Sequence, residues 1–499
     1  CLCLVGASPR SLPSPAQTSD QSAAAIAARI IEASEQERAT LLARPEYATV
    51  AVVQALLALA DKERMAGQLP AALAAYEAAT AAAKSAGAER ELGRALNGLA
   101  DALFRLGNQM ARALAVANES IALHELLNDP AGLAEAWNNL GNVRSVDAES
   151  QEAIPAYEKS LALWTEAGDR LGIARALNNI GNVLRGNDDE KAIEHLERAR
   201  QILEELGDER RASVVIGTIG ILHLNRGEYP EALEYTRQAL AMQERAGDTH
   251  LLSRSLDVLG NIHVAQGAYG RALEYFHRSL ELRLRVKAVF DAAESWNNIG
   301  TAHAGHGDYE LAIAAYREAL RLNRSVGHQW LSAEALLNLG DAAAALGQWA
   351  RAEANYRESI RIAETLSGIL NAASFVGHAL RGLADVAYRR GRIRDAEAHL
   401  TRALGLHETA NNLRGTADAL TALAAIDLEL AQAPRALARA VRAREIARGI
   451  DAQDLLWSAR TLIGRAQQQL GHTDAARREW HLAIEAIDNL RSELLPDPK

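Results

Sequence analysis

Asparagine is the residue type in this sequence whose spacing best suits binding chemistry. Asparagines recur about every 40 residues, and each side chain offers a hydrogen-bond donor and an acceptor to a peptide backbone. Two pairs have members four residues apart, which places both members on one face of a helix. The candidate binding set is Asn138 and Asn142, Asn178 and Asn182, Asn261 and Asn297.

Two arginines extend this candidate set. Arg175 and Arg254 each lie seven residues before one of the recurring asparagines, Asn182 and Asn261. A guanidinium group pairs well with a carboxylate, so we expect both arginines to lie near any carboxylate of a bound peptide. The expected ligand is neutral or mixed in charge.

Motifs for catalysis are missing from the sequence. It contains no Gly-x-Ser-x-Gly elbow, no phosphate-binding Gly-x-x-x-x-Gly-Lys loop and no His-Glu-x-x-His helix. His223, His263 and His303 recur every 40 residues. Neighbouring helices lie about 8–10 Å apart, too far for these histidines to share a metal ion with bonds of about 2 Å. We predict packing histidines, no metal, no cofactor and no enzymatic activity.

Composition excludes several classes of protein. The net charge is −10, and a broadly acidic surface repels phosphate backbones, so we expect no nucleic-acid partner. No apolar run reaches the roughly 18 residues of a membrane span. Only 4% of the residues are aromatic and only 11 are proline, which favours helices over sheets.

The chain is organised by an internal repeat of about 40 residues. A small residue, which we call the repeat marker, recurs at Ala60, Ala100, Gly141, Gly181, Gly220, Gly260, Gly300, Gly340, Ala384, Ala424 and Gly464. An alanine follows each marker by about twelve residues, and an alanine or serine follows that alanine by seven. Small residues at fixed positions allow two helices to pack closely.

Turn residues divide each repeat into two helices, A and B. In most repeats a glycine follows the marker by seven residues, and glycine commonly ends a helix. These glycines are Gly67, Gly107, Gly227, Gly267, Gly307, Gly347, Gly391 and Gly471. The pattern predicts an all-α chain of eleven stacked helix-turn-helix units. Pro155 is the exception, because we predict it to lie inside helix B of repeat 3 and to remove a hydrogen bond there.

These motifs resemble the tetratricopeptide repeat (TPR). Trp137-Asn-Asn-Leu140-Gly141 matches the family's first-helix signature, and Tyr309 with Ala312 matches its turn. The period of about 40 residues is typical of the longer class in bacterial signalling proteins and in LGN/Pins-like and kinesin-light-chain-like adaptors. The resemblance implies a right-handed superhelical solenoid with helices A on its concave face. It also implies that the position after each marker, as in Asn142, Asn182 and Asn261, faces a peptide-binding groove.

Some polar residues allow two interpretations. A second set of asparagines (Asn139, Asn179, Asn298 and Asn338) either faces the groove or bonds within its own hairpin. Two arginine clusters form either a docking surface for an acidic partner or a solvated face. The clusters are Arg389, Arg390, Arg392 and Arg394, and Arg435, Arg439, Arg442 and Arg444.

We predict five segments. Residues 1–20 are a signal-peptide tail or a disordered leader, and 21–45 are an N-terminal helical segment. Repeats 1–8 occupy residues 46–366, repeats 9–11 occupy 367–491 after a one-turn insertion, and 492–499 form a tail. A signal-like start favours a secreted or periplasmic location, with the cytoplasm as the alternative.

The C-terminal segment suggests a second function. Residues 481–495 resemble the segment that joins TPR arms to caspase-like CHAT protease domains in bacteria. We therefore predict a non-enzymatic scaffold that binds a protein or peptide in its concave groove. The alternative is the sensing arm of a larger signalling or protease protein, with an effector domain linked C-terminal to this chain.

Overall fold

The computed structural model describes residues 15–42, 44, 47–107, 109–146, 150–366 and 372–494, and every regular element in these ranges is helical. The chain divides into two compact units, Cys1–Met242 and Gln243–Lys499. The helices that lie wholly in the first unit are α1 (Pro15–Glu32), α2 (Glu35–Leu42), α3 (Val50–Met65), α4 (Leu69–Ala86), α5 (Glu89–Leu106), α6 (Met110–Leu126), α7 (Pro130–Arg144), α8 (Ile154–Ala167), α9 (Arg170–Leu184), α10 (Asp189–Glu205) and α11 (Glu209–Asn225).

Helix α12 (Tyr229–Ala246) contains the boundary between the units, and a short 3₁₀ helix, Ser150–Ala153, precedes α8. The helices of the second unit are α13 (Thr249–Ala265), α14 (Tyr269–Arg285), α15 (Val289–His306), α16 (Tyr309–Ser325), α17 (Gln329–Ala345), α18 (Trp349–Thr365), α19 (Ala372–Arg389), α20 (Ile393–Thr409), α21 (Leu413–Glu429), α22 (Ala433–Gly449), α23 (Gln453–Gln469) and α24 (Thr473–Leu494). None of the helices in the described ranges is long and apolar enough to cross a membrane.

The helices from α3 to α24 form eleven consecutive hairpins, as the repeat predicts. Every repeat marker lies in the first helix of its hairpin, from Ala60 in α3 to Gly464 in α23. The alanine that follows lies in the second helix in ten hairpins. The exception is Ala153, which lies in the 3₁₀ helix before α8. The all-α repeat architecture is therefore confirmed.

Glycine and aspartate set the ends of many of these helices. All eight predicted turn glycines have positive φ, from 69° at Gly347 to 94° at Gly307, a conformation that glycine adopts without steric cost. Aspartates cap the following repeats. The side chain of Asp169 accepts a hydrogen bond from the backbone N–H of Gly172, and Asp208 does the same for Arg211. A Gly-Asp pair therefore ends one hairpin and starts the next.

In five repeats the marker is a glycine because an aromatic ring of helix B covers it. A Cβ atom added to Gly141 would lie 2.5 Å from the Tyr157 ring, and one added to Gly300 would lie 2.5 Å from the Tyr316 ring. The markers of other repeats meet Phe276, Tyr356 and Trp480 in the same way. Because an aromatic ring fills the space, a larger residue at these markers would force the two helices apart.

The prediction for Pro155 is wrong. Helix α8 begins at Ile154, so Pro155 lies in its first turn, where a backbone N–H has no partner within the helix. The 3₁₀ helix Ser150–Ala153 occupies the place where helix B was expected to start. Proline therefore costs no hydrogen bond here.

The predicted segment boundaries stay predictions. The compact units meet between Met242 and Gln243, a different place from the predicted boundary at residues 366 and 367. The inserted turn falls largely on residues 367–371, outside the described residues, and so does most of the proposed leader. Helix α1 already begins at Pro15. Helix α24 contains most of the segment that resembles CHAT-linked arms, and that resemblance also stays a prediction.

Candidate functional site

Asparagines of neighbouring repeats hydrogen-bond to one another in the first unit. Nδ2 of Asn179 on α9 donates to Oδ1 of Asn138 at 2.9 Å and to Oδ1 of Asn142 at 3.3 Å, both on α7. Nδ2 of Asn139 donates to the backbone oxygen of Asn97 on α5 at 3.0 Å. Asn139 and Asn179 of the second set therefore join successive first helices through their Nδ2 groups.

Asn142 is held from two sides. The hydroxyl of Tyr157 on α8 donates to its Oδ1 at 2.9 Å, in addition to the bond from Asn179. Burial raises the pKa of Tyr157 to about 12, so the phenol keeps its proton at neutral pH. Within the described residues, both hydrogen bonds of the Asn142 side chain use Oδ1. The Nδ2 group is therefore left for a ligand.

The asparagines of α9 differ in exposure. Asn182 is exposed, and its Nδ2 donates to the backbone oxygen of Asn178 at 2.9 Å. Arg185 contacts its Oδ1 at 3.4 Å. Asn178 is half-buried, and its Oδ1 is buried with no hydrogen-bond partner among the described residues. An unpaired buried acceptor is unfavourable, so this atom favours a ligand that brings an N–H group.

These side chains line one cavity of about 730 Å³ in the first unit. The predicted residues Asn138, Asn142, Arg175 and Asn182 all line it, whereas Asn178 does not. Its other polar lining residues are Arg64, Asp101, Arg105, Glu135, Asn139, Ser145, Tyr157, Asn179, Arg185 and Arg211. Five arginines face two carboxylates, so the cavity is locally cationic although the chain as a whole is acidic.

A second cavity, of about 480 Å³, extends the same surface toward the first repeats. It shares Arg64, Asp101, Glu135 and Arg175 with the larger cavity. We call the two cavities together the first-unit groove. Arg175 lies where they meet, 44% exposed and 3.9 Å from Glu135, and its guanidinium lies 5.5 Å from the centre of the Trp164 ring. Such a loosely paired cation is available to a ligand carboxylate.

The other three predicted residues lie in the second unit and line neither cavity. Arg254 and Asn261 are exposed on α13. Asn297 on α15 donates to Glu334 at 3.4 Å and accepts from Asn338 at 2.9 Å. Burial raises the pKa of Glu334, and the charge of nearby Glu294 raises it further. The structure therefore brings five of the eight predicted site residues into one unit.

Two of the three recurring histidines pack on tyrosine rings, as predicted. His223 stacks on Tyr235 with ring centres 5.2 Å apart, and His263 stacks on Tyr275 at 5.5 Å. His303 lies 3.8 Å from Asp308 at the end of its helix. Among the described residues, no group of three or more His, Cys, Asp or Glu side chains could hold a metal ion.

The arginine clusters form ion pairs inside the second unit. Arg435 and Arg439 bond to Asp427, which is fully buried, at 2.7 and 2.9 Å. Arg390 and Arg392 each reach Glu353 at 2.9 Å. Burial opposes the ionisation of Glu353, but the arginines outweigh it and lower its pKa. Arg390 and Arg392 therefore connect repeats 8 and 9, whereas Arg435 and Arg439 connect the two helices of repeat 10.

Several groove residues were not predicted from the sequence. Tyrosines follow the marker by sixteen residues in four repeats, as Tyr76, Tyr157, Tyr316 and Tyr356. In each of these repeats the hydroxyl meets the residue after the marker, and Tyr76 bonds to Asp61 at 2.6 Å. The recurrence of these tyrosines was visible in the sequence. Arg64, Arg105 and Arg211 have no comparable pattern.

The hairpins define the chain as a helical-repeat protein. Models of the tetratricopeptide repeat match residues 132–205, 211–285 and 291–365, and a second such model matches residues 251–327. The matched residues contain repeat markers and hairpins described above. The chain therefore contains tetratricopeptide repeats between residues 132 and 365.

Solved structures with a similar arrangement of helices have low sequence identity. The chain is 14% identical to a STAND signal transduction ATPase with a tetratricopeptide repeat sensor from Pyrococcus horikoshii, over 89% of this chain and 74% of that one, with a TM-score of 0.49. The chain is 19% identical to BtubC from P. vanneervenii, over 44% of this chain and 91% of that one, with a TM-score of 0.41. The chain is 16% identical to a Rap protein complexed with competence and sporulation factor, over 69% of this chain and 99% of that one, with a TM-score of 0.43. No curated protein matches the chain in sequence.

Proposed function

We propose that this chain is a non-enzymatic scaffold that binds an extended peptide or protein segment in the first-unit groove. The observation that carries this proposal is the position of Asn142. Tyr157 and Asn179 hold its Oδ1, and its Nδ2 remains available in a cavity that Asn182 also lines. An amide held in this way pays little entropy on binding a backbone carbonyl.

The charges of the groove indicate the kind of segment that binds. The larger cavity has five arginines and two carboxylates in its lining. Arg105 is engaged with Asp101 at 2.8 Å, whereas Arg175 is 3.9 Å from its nearest carboxylate. A segment of mixed charge with at least one carboxylate fits this lining better than a basic one, because complementary charges favour the correct partner.

Selection from a random peptide library tests the proposal. We would select twelve-residue peptides on the purified chain and measure their affinities by calorimetry. The Asn142→Ala/Asn182→Ala variant should bind selected peptides about tenfold more weakly or worse, since each lost hydrogen bond costs roughly 0.5–1.5 kcal/mol. The free energy of unfolding should fall by only about 0.5–1.5 kcal/mol, because Asn142→Ala also removes the hydrogen bond from Tyr157.

Asn261→Ala is the matched control, because Asn261 follows its marker in the same way but lies in the second unit and lines neither cavity. It should leave the affinity unchanged. Failure to select any peptide would contradict the proposal. Equal affinities of the parent chain and the Asn142→Ala/Asn182→Ala variant would also contradict it.

A further inference from the structure

A small apolar cavity opens beside the first-unit groove, between α9, α10 and α11. Its volume is about 200 Å³. Cavities of about 150 Å³ with apolar walls accommodate a benzene molecule in another protein, so this one has room for one bulky apolar side chain. We call it the side cavity. Its apolar walls are Leu171, Ala174, Leu203, Val214 and Val215.

Beside the side cavity, repeat 4 has a smaller residue than repeats 2 and 3 have at the equivalent position. Eleven residues after the helix B alanine, repeat 2 has His124, repeat 3 has Trp164 and repeat 4 has Leu203. All three are buried. The Trp164 ring packs against Gly172, where an added Cβ would lie 2.4 Å from the ring. Arg211 follows Leu203 by eight residues, just as Gly172 follows Trp164. The Arg211 side chain is 59% exposed, so the space beside Leu203 remains open.

Polar groups lie at the rim of this apolar space. Asn178 lines the side cavity, and its Oδ1 is the buried acceptor without a hydrogen-bond partner in the described part of the chain. A backbone N–H of a ligand would supply the missing donor. An isolated apolar molecule would not, so the side cavity suits a side chain attached to a peptide.

Two arginines connect the side cavity to the groove. Arg175 and Arg211 line both the side cavity and the larger cavity of the groove. Arg175 is loosely paired, and among the described residues the Arg211 side chain pairs with Asp208 of its own turn. A carboxylate beside the apolar side chain would therefore meet a guanidinium group, which favours charge-assisted hydrogen bonds.

We propose that the side cavity takes one leucine- or phenylalanine-sized side chain of the bound segment, and that Arg175 and Arg211 hold the carboxylate of a neighbouring Asp or Glu. The recognised class is then a peptide in which a bulky apolar residue stands next to an acidic one. This inference rests on the proposed function, since it names the part of the peptide that the groove reads.

Selection from the same random twelve-residue peptides tests whether the groove recognises an apolar residue next to an acidic one. Peptides selected on the parent chain should be enriched in a bulky apolar residue adjacent to Asp or Glu. Val214→Asn makes an exposed wall polar without adding charge, and Leu203→Phe fills the cavity. Each should weaken binding of a selected peptide roughly ten- to a hundredfold, because the apolar side chain loses its burial. Arg211→Gln should remove the preference for the acidic residue.

Val326→Asn is the matched control, since Val326 is a similarly exposed valine in the second unit. It should bind like the parent chain. Val214→Asn keeps the test decisive if Leu203→Phe fails to fold. Two results would overturn this inference and leave the proposed function intact. In the first, selected peptides depend on Asn142 and Asn182 but lack the apolar–acidic pair. In the second, they bind Val214→Asn at full affinity. If no peptide is selected, both fail.

Discussion

The hydroxyl of Tyr157 lies 2.9 Å from Oδ1 of Asn142, fifteen residues earlier in the chain, and joins the two helices of repeat 3 at the surface of the groove. The same ring covers the marker Gly141. One tyrosine therefore packs the hairpin with its ring and orients a groove amide with its hydroxyl. We therefore expect stability to depend mainly on the ring of Tyr157 and peptide binding mainly on its hydroxyl.

Tyr157→Phe should separate these two roles. The ring still covers Gly141, so the free energy of unfolding should fall by only about 0.5–1.5 kcal/mol, the value of one hydrogen bond. Affinity for a selected peptide should fall several-fold, because Asn142 loses one of the two bonds that hold it. Calorimetric titration and denaturant unfolding measure the two effects.

Tyr316→Phe is the control for this change. Tyr316 occupies the equivalent position in the second unit, 3.3 Å from Thr301. It should change stability by a similar amount and leave peptide affinity unchanged. Equal loss of affinity in both variants would show that Tyr157 acts through stability alone.

Two glycine substitutions should change the free energy of unfolding in opposite directions. A Cβ at Gly300 would lie 2.5 Å from the Tyr316 ring, so Gly300→Ala should destabilise the chain by roughly 1–3 kcal/mol. A Cβ at Gly217 would meet only the Ala239 side chain, at 3.8 Å. Gly217→Ala should therefore stabilise helix α11 by up to about 1 kcal/mol. Denaturant midpoints that move in the same direction for both variants would contradict this packing.

Eleven hairpins could be predicted from the sequence because their turns and close contacts are local. A glycine at positive φ and a small marker such as Gly300 act within one repeat, so spacing alone reveals them. The bond from Asn179 to Asn138 depends on how one repeat is placed on the next, which spacing does not encode. The side cavity depends on the volume of Leu203 relative to Trp164. Both features depend on three-dimensional packing between repeats.

Arg439 and Arg442 are three residues apart but should differ in their effect on stability. Arg439 bonds to the fully buried Asp427, so Arg439→Ala leaves a buried carboxylate with one partner fewer. We expect a loss of roughly 1–3 kcal/mol. Arg442 pairs with Glu408 at the surface, and Arg442→Ala should cost about 1 kcal/mol or less. Chemical denaturation of both variants checks the difference, and equal midpoints would rule it out.

Acid should destabilise the second unit through His407. Burial lowers the pKa of His407 and the charge of His378 lowers it further, whereas Asp418 opposes the shift. The unfolded chain takes up a proton near pH 6.5, and the folded chain takes it up only at lower pH. The free energy of unfolding should therefore fall as the pH drops below about 6.5.

His407→Leu isolates this contribution, because other histidines shift in the same direction. Leucine cannot titrate, and Nδ1 of His407 has no hydrogen-bond partner among the described residues that would be lost. Unfolding measured between about pH 5.5 and about pH 7.5 should depend less steeply on pH in the variant. An unchanged slope would exclude His407 as a source of acid sensitivity.

Hydrogen–deuterium exchange with and without a selected peptide tests the groove most directly, since it reports where along the chain a ligand protects backbone amides. Most of the groove lining comes from first helices, with Asp101 on α5, Asn142 on α7, Asn182 on α9 and Arg211 on α11. We predict that added protection concentrates on these four helices. Protection confined to α6, α8 and α10, or to the second unit, would contradict binding in the first-unit groove.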